Sequence, residues 1–209
     1  PAAAPRRRAA PPGDFTPADL DFFQALVPLV DHPKLRARLA DIVWLCKKPR
    51  VVAMATAAVD AYRQVSPTSH EWTRDGRSCW TRAVSLARML GIAGADQLQQ
   101  LEAEIRAAFD AATQAERFFA RQVADLMEGH GLAHSDRASV AAKLETLAEA
   151  FVGDNDSYSA REYFEASARW HRAAGDMVKA AEMTAAEAEC WVKQAQGRSE
   201  GSAPSHIVA

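Results

Sequence analysis

Residues 159–195 read SAREYFEASARWHRAAGDMVKAAEMTAAEAECWVKQA. Apolar and aromatic residues recur there at intervals of three and four on both sides of one Gly-Asp step, and no proline interrupts either side. Such spacing marks two amphipathic helices, each with one apolar face. Gly175 and Asp176 supply a left-handed stop and an N-cap in adjacent positions, so the stretch predicts a tight helical hairpin. Ser159 and Glu162 resemble a capping box at its start, Tyr163 and Trp170 face inward, and Ala180, Thr184, Ala188, Trp191 and Ala195 line the inner side of the second helix. Ala168 and Ala180, on either side of the turn, are small enough to let the two helices approach closely.

The same punctuation extends outward. No proline occurs from Thr68 to Ala203, glycines fall almost entirely at joints, and 45 of the 209 residues are alanine. Alanine has the lowest helix cost and buries little area, so closely packed helices are favoured over strands. Upstream, Thr16, Pro17 and Asp19 open a helix carrying Leu20, Phe23 and Val27, which Pro28 bends or ends. A second follows Pro33 with Leu35, Leu39, Ile42 and Cys46 on one stripe. A third carries Val52, Ala55, Val59 and Tyr62. After a Thr68 to Glu71 capping pattern and Trp72, a fourth carries Cys79, Ala83, Leu86 and Leu90, flanked by Trp80 and Val84, and stops at Gly91. From an Asp96 cap to Gly129 one stripe persists, a rod of roughly 45–50 Å at ~1.5 Å per residue, with Thr113 as the place where it could break. Ser135 or Asp136 then caps a helix bearing Val140, Leu144, Leu147 and Phe151.

The expected fold is all-α, an irregular antiparallel array of about eight helices: a disordered arm over 1–13, one helical domain over 14–197, and a disordered tail over 198–209, which also reads as the cut end of a longer chain. Gly175, Asp176, Lys179 and Ala180 resemble the turn and second helix of a tetratricopeptide repeat. Thr184 stands where that repeat wants an aromatic and Glu187 where it wants a small residue, and no second copy recurs at the repeat's period, so the array is irregular.

A formal net charge of −2 gives no global field for phosphate backbones or anionic lipid, so nucleic-acid binding would have to be local. No segment approaches the ~18 apolar residues that span a bilayer, and Arg6, Arg7 and Arg8 are followed by Pro11 and Pro12 rather than by an apolar leader core. Cys46, Cys79 and Cys190 are far apart in helical stretches and read as reduced thiols of a cytoplasmic protein.

Candidate chemistry is sparse. Glu128, His130, His134 and Asp136 have metal-ligand types, but Gly129 and Gly131 break the helix that would align the histidines, and a polar loop is the better reading. Asp154, Asp156 and Glu165 mimic a calcium loop, yet Ser159 replaces its turn glycine, and an acidic helix start explains them. Arg36, Arg38, Lys47, Lys48 and Arg50 cluster near Trp44 and are the candidate partner contacts, with an internal Asp41–Arg38 ion pair competing for them. Trp44, Trp80, Trp170 and Trp191 fall on or beside apolar stripes, which assigns them to the core. The pairing of Glu102 with Glu104 lies on solvent-facing positions. No catalytic, cofactor-binding or metal-ligating set is assigned.

Three stretches, Leu35 to Trp44, Ala53 to Tyr62 and Trp80 to Ala87, are similar to the N-terminal helical region of a bacterial family of unknown function, over roughly Phe15 to Trp191. Longer members of that family carry a C-terminal domain with an Arg-Asn-Tyr-Arg-Asn-His motif, which this chain lacks, its one asparagine being Asn155. The resemblance implies an accessory or recognition module and assigns no active site. The expected function is a non-enzymatic helical interaction module that binds a partner protein or a C-terminal domain of its own. The alternative is an RNA- or substrate-recognition arm of a stress or defence enzyme.

Overall fold

The computed structural model describes residues 15–65, 75–116, 118–132 and 136–201, and among these the chain is all-α: nine α-helices, two 3₁₀ turns and no strand. Its contacts form two compact units, Pro1–Leu101 and Glu102–Ala209, where the sequence alone suggests one helical domain over 14–197.

The N-terminal unit holds α1 (Pro17–Leu26), a 3₁₀ turn (Val27–Leu29), α2 (Pro33–Cys46), α3 (Val52–Arg63), α4 (Asp75–Met89), a second 3₁₀ turn (Gly91–Gly94) and the start of α5 (Ala95–Ala111). Thr16 and Asp19 form the expected capping box: the Thr16 hydroxyl accepts from the Asp19 amide at 3.2 Å, and the Asp19 carboxylate accepts from the Thr16 amide at 2.9 Å. Pro28 ends α1 by diverting it into the 3₁₀ turn. Consecutive helices pack on one another in chain order, α1 on α2, α2 on α3 and α3 on α4.

The buried face of α2 is not the leucine stripe. Ala37, Ala40, Asp41, Val43 and Trp44 are buried, while Leu35 is exposed and Leu39, Ile42 and Cys46 are only half-buried. Alanines at 37 and 40 face a helix that itself buries Ala55, Ala58 and Ala61, so small residues on both sides allow close approach, which longer side chains would prevent. At the far end, Gly94 sits so near the Ala87 carbonyl that a Cβ would lie 2.2 Å from its oxygen. Only glycine fits there.

The C-terminal unit holds the rest of α5, α6 (Phe119–Gly129), α7 (Arg137–Gly153), α8 (Ser157–Ala174) and α9 (Met177–Gly201). The expected rod from Asp96 to Gly129 is two helices, which supplies the ninth element. The chain leaves the helix after Ala111: the Glu116 side chain reaches back to the Thr113 amide at 3.4 Å and the Glu116 amide donates to the Thr113 carbonyl at 3.1 Å, closing a turn. Asp96 lies in the first turn of α5 rather than at its cap. Helices α7, α8 and α9 pack in sequence, with α6 against α7 and α8. Val140, Leu144, Leu147 and Phe151 are buried as the pattern predicts.

Three local assignments change here. Asp156, not Ser159, caps α8, its carboxylate accepting from the Ser159 amide at 3.1 Å, and Ser159 is buried. Asp136 stands at the N-cap of α7 but gives its carboxylate to Arg106 instead of to the helix amides. In α9 the buried positions are Ala180, Met183 and Cys190, while Thr184, Ala188, Trp191 and Ala195 are exposed. One residue of offset turns a helix face by ~100°, and Met183 and Cys190, seven apart, share a side with Ala180. Gly175 does turn the hairpin at φ 86°, with Asp176 accepting from the Lys179 amide at 3.0 Å. Helix α9 continues to Gly201, past the expected end of order at 197. The arm at 1–13, the Thr68 to Glu71 pattern, Trp72, His134, Ser135 and residues 202–209 lie outside the described residues.

Candidate functional site

The N-terminal unit is organised around one buried acid. Asp41 is 8% exposed, which a carboxylate tolerates only when it is paired and hydrogen-bonded. Arg82 of α4 grips it with two parallel bonds, Nε to one oxygen at 2.8 Å and Nη2 to the other at 2.7 Å, and the Tyr62 hydroxyl of α3 donates to it at 3.3 Å. Burial and the neighbouring Asp41 charge raise the Tyr62 phenol well above its usual range. Three helices thus meet at one carboxylate. This corrects the expected Asp41–Arg38 pair: a bidentate guanidinium from 41 residues downstream replaces a single contact along α2, and no local spacing rule can see it.

The same unit holds an open groove of about 450 Å³, within the range of ligand clefts. Its walls come from the end of α1 and the turn after it (Gln24, Val27, Pro28), from α2 (Arg36) and from α3 (Met54, Ala57, Asp60, Ala61) with its C-cap, Gln64. The floor is apolar and the rim polar. Pro28 helps make the gap, because a proline that ends α1 early leaves no helical turn to fill it. On the rim, Arg36 donates to the side-chain oxygen of Gln64. Asp60 accepts from Gln97 at 2.7 Å and stands 3.6 Å from Arg63. Gln24 accepts from Lys47 at 2.6 Å.

The five cations singled out by sequence therefore separate. Arg36 lines the groove. Lys47 is held by Asp21 and Gln24 of α1, each at 2.6 Å, and Arg50 lies 5.2 Å from the centre of the Trp44 ring. Arg38 and Lys48 are exposed. Sequence reasoning missed the groove's other walls, and the signal within reach was Pro28, a helix breaker followed five residues later by a second helix start at Pro33.

In the C-terminal unit the metal-type residues are engaged in other ways. Glu128 and Asp125 both bind Arg169, Asp136 binds Arg106, and Asp154 accepts from Gln114 at 2.6 Å. Among the described residues no group of three metal-ligating side chains comes together. Trp44, Trp80 and Trp170 are buried as expected, but Trp191 is 49% exposed, with Arg161 4.1 Å from its ring centre and also 5.2 Å from that of Tyr158. Cys46, Cys79 and Cys190 form no disulfide, and burial pushes the Cys190 thiol up. No helix among the described residues is long and apolar enough to cross a membrane.

A helical scaffold with an open, mostly apolar groove is the class of protein that this geometry defines. Residues 2–99 match the model of a family described as a domain of unknown function (DUF7380), so the three stretches quoted above lie within the match. The matched span coincides within two residues with the N-terminal unit, and the groove and the Asp41 cluster fall inside it. Comparison with the curated proteins and with the solved structures finds no match.

Proposed function

We infer that the chain is a helical interaction module that binds a partner protein through the groove of its N-terminal unit and performs no chemistry of its own. The observation that carries this reading is the groove itself: an apolar floor that stays open among the described residues, in the same unit as the Asp41–Arg82–Tyr62 cluster. Buried Asp41 is matched by Arg82 and half-buried Glu145 by Lys179 at 3.0 Å, so these charges serve packing rather than a reacting substrate, while the ring nitrogens of buried His171 stand 3.5 Å from Glu145 and 3.9 Å from Asp176. Uncovered apolar surface next to polar anchors is the usual composition of a recognition cleft. The basic cluster supports the alternative, an RNA-recognising arm, less well, because Lys47 and Arg50 are held by Asp21 and Trp44 within the unit.

The test is a photo-crosslinker placed at Ala57 on the groove floor, with the same group at exposed Glu104 as control, in cells that express the chain. A discrete adduct from position 57 alone is expected. Equal adducts from both positions, or a catalytic activity of the purified chain abolished by one substitution, would contradict the reading.

A further inference from the structure

We propose that the groove selects an acidic amphipathic segment of its partner, whose carboxylate replaces the Gln64 amide on Arg36 while an apolar neighbour seats on Val27, Pro28, Met54 and Ala57. The proposal rests on the interaction-module reading and adds the chemistry of the occupant. Charge matching on the groove rim is one-sided. Among the described residues that line it, the one acid, Asp60, already has Gln97 and Arg63 within reach. The one cation among those described lining residues, Arg36, is answered by a neutral amide oxygen, whereas Arg82 and Lys47 in the same unit each hold a carboxylate. A guanidinium makes its strongest, two-pronged bonds to a carboxylate, so an incoming acid outcompetes the Gln64 amide.

The charge of the described residues has the same sign: residues 15–65 and 75–101 carry 10 Lys and Arg against 7 Asp and Glu, and over the sequence as a whole residues 1–101 carry 14 against 9 while residues 102–209 carry 11 against 18. The overall charge of −2 hides a basic N-terminal unit, and a basic unit draws acidic partners by steering. RNA fits less well. Among the described residues one cation lines the apolar floor, which offers no row of phosphate contacts, and Trp44, the tryptophan nearest the basic cluster in sequence, is buried, so it gives bases no stacking face.

The experiment uses the full chain and three fluorescein-labelled probes at fixed low salt, read by anisotropy: the capped peptide DELLDFLE, its charge-reversed counterpart KKLLKFLK, and a twelve-nucleotide uridine RNA. The acidic peptide is expected to bind at least tenfold more tightly than the RNA. Arg36→Gln should weaken it about tenfold, Arg36→Lys should restore part of that loss, and Ala57→Trp, which fills the floor, should abolish it. Arg36→Gln should leave any binding of the basic peptide unchanged. Amide spectra of each variant establish that it is folded.

If Ala57→Trp blocks both peptides but Arg36→Gln alters neither, the groove binds peptides without charge selection: the proposal falls and the interaction reading stands. If no peptide binding responds to Ala57→Trp, both fall. RNA binding that is tighter than peptide binding and lost in Arg36→Gln overturns both in favour of a nucleic-acid arm.

Discussion

At the scale of single residues, Asp41 is the position on which the N-terminal unit most depends. Asp41→Asn keeps the shape but leaves Arg82 without its counter-charge. Breaking a buried pair costs ~3–5 kcal/mol, and because Arg82 keeps 31% of its side chain in water, about 2–3 kcal/mol is expected in a urea titration. A loss under ~0.5 kcal/mol, the level of an ordinary surface change, would demote the cluster to decoration. The two buried tyrosines add a pH dependence of definite sign. Burial raises the Tyr163 phenol to about 12, and burial with the Asp41 charge raises Tyr62 further, while the unfolded chain ionises at its usual value of 10.0. Above that pH the unfolded state binds fewer protons than the folded one, so stability falls as pH rises from 10. Tyr62→Phe and Tyr163→Phe should each flatten that decline, seen as the shift of melting temperature between pH 9 and 11.

At the scale of elements, the helices were legible in the sequence and their rotations were not. Caps and breakers act locally, so Thr16, Pro28, Gly91 and Gly175 announce their joints without help from the rest of the chain. The buried face of a helix depends on its neighbours. In α2 the larger residues Leu35 and Leu39 suggested one stripe, yet the alanines face α3 because the packing rewards close approach, and Asp41 joins them only because Arg82 is present on α4. In α9 the residue that misled was Trp191, an aromatic on an apparent stripe that instead lies half exposed with the Arg161 guanidinium over its ring. The corrected face makes a direct prediction: Met183→Ala should cost ~2–4 kcal/mol as a buried truncation, whereas Ala188→Ser should stay within ~0.5 kcal/mol. Thermal melts of the two variants check it, and the reverse order would restore the face read from sequence. Gly94→Ala belongs to the same scale. With a backbone oxygen 2.2 Å from the new carbon, the 3₁₀ turn must move, and a lower melting temperature is expected.

At the scale of the whole molecule, two compact units and two opposite charges share one chain, and neither showed in totals taken over its full length. The charge division was available in the sequence but only as a count by halves, and the groove was not, since its walls come from residues spread between Gln24 and Gln64 that only folding brings together. Separate units open separately. In Asp41→Asn, native-state hydrogen exchange should therefore accelerate across α2, α3 and α4 while α7, α8 and α9 keep their protection, and uniform loss in both would show a single cooperative body. The central claim is that the N-terminal groove receives an acidic peptide. The most direct measurement is a ¹H–¹⁵N correlation spectrum of the full chain titrated with unlabelled DELLDFLE. Saturable shifts concentrated at the amides of Gln24, Val27, Arg36, Met54, Ala57 and Gln64 are the predicted result, and shifts confined to other residues, or none at millimolar peptide, would contradict it.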